Sequence, residues 1–288
     1  MRGSLIASSA KITPMCVKHR TRSDQDATSL GSMAQGFEHF LMTYFSVRHA
    51  TARQWAEFPT PWLETRLALF EAFCLPSVAA QRASDFRWLI FCDVSTDVAC
   101  LERLHRQAEA CPQLEVILTD DRCDPVAVVN RMVAEATSVV LTTHLDSDDG
   151  LHVNALNRAQ EHVDGFVSSR HERWLHNAPR GIRYDAGAGI AYRSQLANSP
   201  FHTLFERRRR GGSVLTAMSG NHSRLHQEYA THQDYALTGW LQVIHGGNLA
   251  NRITGFDTET TAVDLEDSFG VVPPGRRSFY TEIPPLAG

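Results

Sequence analysis

Ser138-Val139-Val140-Leu141-Thr142-Thr143-His144-Leu145-Asp146-Ser147-Asp148-Asp149-Gly150 is the stretch that decides how this chain reads. Its first six residues have the length and β-branched composition of a strand buried on both faces. Behind them come three carboxylates in four residues, Asp146, Asp148 and Asp149. Carboxylates packed this closely repel, and folding them together is costly unless a cation compensates. Hard divalent ions such as Mg²⁺, Mn²⁺ or Ca²⁺ take oxygen ligands, and the first two complete their shells with water and phosphate. An Asp-x-Asp at the end of a buried strand therefore fits metal-assisted diphosphate binding. The plainer alternative is a helix start near Leu151, with Asp148 or Asp149 as its cap. An EF-hand loop is excluded, because positions six and twelve counted from Asp146 are Leu151 and Asn157.

Upstream, strand and helix patterns alternate. Phe40 to Val47 is a short apolar and aromatic run of strand length. Trp62 to Gln81 has the spacing of an amphipathic helix interrupted near Pro76. Arg87 to Cys92 is a second strand ending at Asp93, Val98 to Ala110 a helix, and Leu114 to Leu118 a third strand. Pro125 to Glu135 is a helix with Asp124 as N-cap and Pro125 at its first position. The 138–143 strand is then the fourth. This alternation predicts an α/β fold with a mostly parallel central sheet flanked by helices. Ligands in such sheets collect beyond the carboxyl ends of the strands, where Asp93 and the acidic cluster both fall.

Downstream the pattern is less regular. Val153 to Val163 reads as a helix, Gly165 to Ser169 as a strand, and Asp234 to Ile244 as a helix stopped by Gly246-Gly247. Arg207 to Gly212 is a basic loop, a solvated run or an attractant for an anionic acceptor. Residues 1–32, rich in Ser, Thr and basic residues, read as a disordered or misassigned extension, with Met33 as an alternative start. A single domain of about 33–255 follows, and 256–288 reads as a tail.

Composition narrows the class. The 288 residues carry 28 Lys plus Arg against 32 Asp plus Glu, a net charge of −4, which argues against a nucleic-acid binder working by bulk positive charge. No run approaches the roughly 18 apolar residues of a membrane-spanning helix, while peripheral membrane contact stays open. The six cysteines, at 16, 74, 92, 100, 111 and 123, form no CxxC pair, which suits reduced thiols in a cytoplasmic protein.

His144 to Leu151 (HLDSDDGL) resembles the RLDNDD segment of the rhamnosyltransferase family, whose members are type A glycosyltransferase-like proteins with a nucleotide-diphospho-sugar transferase fold. Phe40 to Arg48 (FLMTYFSVR), Arg66 to Gln81 (RLALFEAFCLPSVAAQ), Phe86 to Asp93 (FRWLIFCD) and Trp240 to Asn248 (WLQVIHGGN) resemble further segments of it, over about 37–252. One departure is His144, where the family carries Arg.

The resemblance implies a metal-dependent, inverting glycosyltransferase. Its donor would be a nucleotide-diphospho-sugar, dTDP-rhamnose within that class, and its acceptor a glycan, lipid-linked sugar or small molecule. It implies a DXD motif with Mn²⁺ or Mg²⁺ on Asp148 and Asp149, completed by His245. Asp146, Asp93, Tyr44, Ser46, Arg48 and Arg66 would contact the donor, and Gly187 and Gly189 would let an acceptor sugar approach the backbone. Asp234 would be the base that takes the acceptor proton. Each has a structural alternative: a helix cap for Asp234 and His245, core packing for Tyr44, an ion pair with Glu64 or another surface acid for Arg66. On one straight helix Asp234 and His245 would stand about 16 Å apart along the axis. Two other classes use similar residues: a metal-dependent nucleotidyltransferase or phosphohydrolase, and a non-catalytic glycan- or metal-binding module.

Overall fold

Strand β1 (Phe37–Ser46) sends alternate side chains into two apolar layers, Leu41 and Phe45 into one, Phe40 and Met42 into the other. It is followed by α1 (Thr60–Leu69), a π-helical turn (Phe70–Cys74), α2 (Leu75–Ala79), β2 (Arg87–Asp93), α3 (Val98–Ala110), β3 (Leu114–Thr119), α4 (Pro125–Met132) and β4 (Val139–His144). This computed structural model describes residues 36–47, 58–120, 123–219, 225–248 and 251–274, within one unit spanning Ala34–Gly288. Residues 1–32, Met33 and Arg48 lie outside the described residues.

The continuation is β5 (Gly150–Leu151), α5 (Ala155–Gln160), α6 (Val163–Ser168), β6 (Arg173–Asn177), β7 (Arg180–Asp185), β8 (Ile190–Gln195), β9 (Thr203–Arg207), α7 (Leu225–Glu228), β10 (Ala230–Gln233), β11 (Thr238–Ile244), β12 (Thr258–Thr260) and α8 (Leu265–Phe269). Seven strands form one sheet in the order β10-β6-β9-β4-β1-β2-β3. Within it β4, β1, β2 and β3 run parallel, as the alternating pattern predicts, and β9 is antiparallel to both its neighbours. A second, five-stranded sheet has the order β12-β8-β7-β11-β5.

The α1–α2 segment lies between the two sheets. Leu63, Leu67, Phe70 and Cys74 join Trp88 and Ile90 of the large sheet, while Leu69 and Phe73 join Ile182, Tyr184, Leu241 and Val243 of the small one. The segment is therefore apolar on two sides rather than amphipathic. Its irregularity near Pro76 is the preceding π turn, a wider turn that accommodates a residue without an N–H. Helix α4 packs Val128 and Val129 on the opposite face of the large sheet. Its N-cap is Asp124, whose carboxylate accepts from Ala127 N at 3.0 Å, worth about 1 kcal/mol. It ends at Met132, three residues short of the expected Glu135.

Three expectations are corrected. Residues 163–168 form helix α6 rather than a strand, a short apolar run that periodicity cannot assign. Residues 238–244 form strand β11, not a helix; both faces of β11 are buried, so its apolar residues follow no two-residue alternation. The region after 255 is not all surface tail, because Leu265, Phe269 and Val271 are buried against β7 and β11. The basic run is also partly structural. Arg207 donates to the carbonyls of Phe166, Val167 and Ser169 at the end of α6, and Arg208 to that of Gly212.

Candidate active site

The acidic loop is one of the connections between the two sheets. Beyond β4, Leu145 N donates to Met42 O at 3.0 Å, continuing the pairing with β1. The chain then turns, with Asp149 N donating to Asp146 O at 3.3 Å, and enters the small sheet as β5, where Leu151 faces Trp240 and Gly150 faces Leu241. The three carboxylates are thus pinned at both ends by strand pairing.

The depth of β11 is set by close approach. The Trp240 indole lies directly over Gly181, where a Cβ would sit 2.0 Å from the ring, and its Nε1 donates to Ala178 O at 3.0 Å. Parallel pairing of β7 and β11 ends with Asp185 beside Ile244. The next residue, His245, is held by Asn248, whose Oδ1 accepts from His245 N at 2.8 Å and whose Nδ2 donates to Val243 O. Gly246 takes a positive φ of 82°, the turn that lets Asn248 fold back. His245 Nε2 then lies 3.0 Å from Asp148 Oδ2. The helix spacing weighed for His245 does not arise, because it follows a strand.

Asp149 turns inward. Its Oδ1 accepts from Val243 N at 2.7 Å, while Oδ2 is buried without a partner. Burial, then the neighbouring Asp148 and Asp146, raise its pKa well above the ordinary carboxylate range, against the opposing hydrogen bond from Val243 N and the charge of Arg66. Asp146 lies 3.3 Å from His144 Nε2.

The residues expected to contact the donor lie near the carboxyl ends of β1 and β2. Tyr44 sets its ring edge against Phe91 and His144, and burial raises its pKa. Ser46 is buried and shares a 2.7 Å hydrogen bond with Thr96 Oγ1. Asp93 is buried and its Oδ1 accepts from Ser95 N at 2.8 Å. Arg66 lies over the Trp62 ring at 5.1 Å and reaches Tyr44 O at 3.5 Å; its Nε is buried without a partner.

Gly187 and Gly189, expected to let an acceptor sugar approach the backbone, lie in the hairpin turn between β7 and β8. Gly189 has φ 71°, and its N–H donates to Asp185 O at 2.7 Å. Asp185 Oδ1 accepts from Ala188 N at 2.9 Å, and Ala186 N donates to Ile244 O at 2.9 Å. The turn is thereby tied to the residue preceding His245. Half-exposed Asp185 is a carboxylate to which sequence alone assigns no role; its position just before Ala186-Gly187-Ala188-Gly189 is the available signal.

Asp234 stands elsewhere. It follows β10, three strand positions from β4, or about 14 Å at ordinary strand spacing. Its Oδ2 takes two 3.0 Å contacts from Arg158 and lies 3.5 Å from His176 Nε2, and Oδ1 accepts from Ala236 N. His176 and Arg158 hold its pKa below the ordinary carboxylate range.

A mixed, mostly parallel sheet whose strand β4 ends in an acidic loop, with a later strand returning a histidine to that loop, fits the type A glycosyltransferase-like α/β fold that the sequence resemblance implies. The chain belongs to the family described as "Putative rhamnosyl transferase", whose model matches residues 37–257. The crystal structure of S. aureus TarS 1–349 is similar over 72% of this chain and 60% of its own, at 12% identity and a TM-score of 0.41. The same protein in complex with UDP-GlcNAc aligns over 73% of this chain and 60% of its own, at 13% identity and a TM-score of 0.40. The chain thus spans 60% of the TarS structures' length. No curated protein matches it significantly.

Proposed function

We propose that this chain transfers a sugar from a nucleotide-diphosphate donor to an acceptor hydroxyl, with a divalent ion held at Asp148 and His245. The observation that carries the reading is the 3.0 Å approach of Asp148 Oδ2 to His245 Nε2 at the carboxyl edge of the sheet. Two adjacent ligands of an octahedral ion, each about 2.1 Å from it, stand about 3 Å apart. The buried, unpartnered Asp149 Oδ2 is a second observation that fits a nearby cation. The imidazole leans the choice toward Mn²⁺ over Mg²⁺. When bound, such an ion offsets the charge that the diphosphate gains as the glycosidic bond breaks.

The protein's own residues supply the remainder. Arg66 adds a fixed cation near the acidic loop, suited to a donor phosphate. Tyr44, Asp93 and Asp146 line the edge where a nucleoside would lie. The acceptor proton needs a carboxylate with an available lone pair. Asp234, ion-paired and buried, is poorly suited, so the role is assigned to Asp185, whose turn also carries Gly187 and Gly189 for close approach of the acceptor. The free, buried thiols of Cys74, Cys92, Cys100 and Cys111 fit a reducing, cytoplasmic setting; burial pushes Cys92 up to about 12 and Cys100 up to about 11.

The test is nucleoside-diphosphate release from a panel of nucleotide sugars including dTDP-rhamnose, with Mn²⁺, with and without candidate acceptors. Nucleoside-diphosphate release that requires an acceptor supports transfer. Cleavage to nucleoside monophosphate and sugar 1-phosphate without an acceptor indicates a phosphohydrolase, and the absence of donor-dependent thermal stabilisation across the panel indicates a non-catalytic module.

A further inference from the structure

A second cluster of metal-binding side chains stands apart from the acidic loop. His176 on β6 and His232 on β10 are cross-strand partners in parallel register, and their rings stack with centroids 5.8 Å apart. His162, the residue before α6, places its ring 5.1 Å from His176 and 4.4 Å from His232. One ring nitrogen from each of the three lies within 4.8 Å of the other two. Trp174 walls the cluster, edge-on to His162 and His232.

Two observations point to a ligand. His162 Nε2 is buried and has no hydrogen-bond partner. His176 is backed by Asp234, whose Oδ2 lies 3.5 Å from its Nε2 and is itself fixed by Arg158. A carboxylate behind an imidazole is the arrangement that orients a ligating histidine. The ring spacing also fits. With metal–nitrogen bonds of about 2.0–2.1 Å and tetrahedral geometry, the ring centres of three imidazoles stand about 5 Å apart.

We propose that His162, His176 and His232 bind one transition-metal ion of the class that takes imidazole, Zn²⁺ foremost, with a fourth position open to water. The ion would tie the start of α6 to β6 and β10, the last two strands at one edge of the large sheet. The set contains no carboxylate, so Mg²⁺ is not its ion. The two sites are thereby chemically separable, and this one does not rest on the transferase reading.

The test uses full-length protein stripped with chelator and titrated with Zn²⁺ against a chromophoric competitor, in an Asp148→Asn background that disables the acidic loop. One Zn²⁺ should bind, and His162→Ala or His232→Ala should weaken it by at least about a hundredfold with the far-UV circular dichroism unchanged. Both residues are half-exposed, so these variants spare the core. Titration with Co²⁺ should give the intense visible bands of a tetrahedral, nitrogen-ligated ion in the parent and not in the variants. Zn²⁺ affinity that is absent from the start, or unchanged in both histidine variants, overturns the proposal. A parent that shows only the weak bands of octahedral Co²⁺ overturns it as well, whether or not the variants fold.

Discussion

Asp148 and His245 are 97 residues apart in the chain, and the structure places their side chains 3.0 Å apart. Asp148 arrives from the loop behind β4, which lies between a parallel neighbour, β1, and an antiparallel one, β9. His245 arrives from β11, in the other sheet. The short strand β5 joins the two by pairing with β11 directly after the acidic loop.

If this pair holds the cation, Asp148→Asn and His245→Gln should each lower sugar transfer by at least about a hundredfold, the scale of losing one electrostatic stabiliser. Donor-induced thermal stabilisation should lose its Mn²⁺ dependence in both, while cooperative unfolding is retained. Parent-like turnover in Asp148→Asn would remove the cation site from this loop.

Asp185→Asn should reduce kcat by about 10²–10⁴-fold, the usual contribution of a general base, with donor affinity unchanged. Steady-state kinetics with a donor-binding titration separates the two parameters. The same loss in folded Asp234→Asn, with Asp185→Asn unaffected, would return the base to Asp234.

Asp234 should instead govern acid stability. Its folded-state pKa is depressed by His176 and Arg158, so its contribution is present above the ordinary carboxylate value of about 4. As pH falls toward the depressed value the carboxylate gains a proton, and that contribution is lost. Urea midpoints measured between pH 7 and pH 3 should fall more steeply for the parent than for Asp234→Asn. Parallel profiles would show that the ion pair contributes little.

Gly181→Ala tests how β11 is positioned. The added methyl would sit 2.0 Å from the Trp240 ring, so the indole or the strand must move. Overpacking of this kind costs about 1–3 kcal/mol, read as a lower thermal midpoint. Because β11 carries His245, Mn²⁺-dependent donor binding should weaken along with stability. A change confined to stability would mean that the strand end is held independently, by Asn248.

How much was legible in advance depends on what kind of physics sets each element. The strands and helices from 37 to 144 follow from local patterns. Parallel strands buried on two faces read as short apolar runs, and α4 declares itself through Asp124 and Pro125. The acidic loop was equally readable, because three carboxylates behind such a run are conspicuous in any context. By contrast, β11 reads as a helix from its spacing, since nothing local reveals that Trp240 will lie over Gly181, 59 residues earlier in the chain. The role weighed for Asp234 rested on that helix.

The sequence by itself determined the α/β class and the place of the carboxylates, because burial and charge repulsion are properties of neighbouring residues. Only the tertiary structure decided which histidine meets Asp148, that Asp149 turns inward to Val243, that Asp185 pairs beside Ile244, the residue before His245, and that three histidines from two strands and a helix start cluster together. Those relations come from strand order and register between distant segments, which the spacing of residues along the chain does not encode.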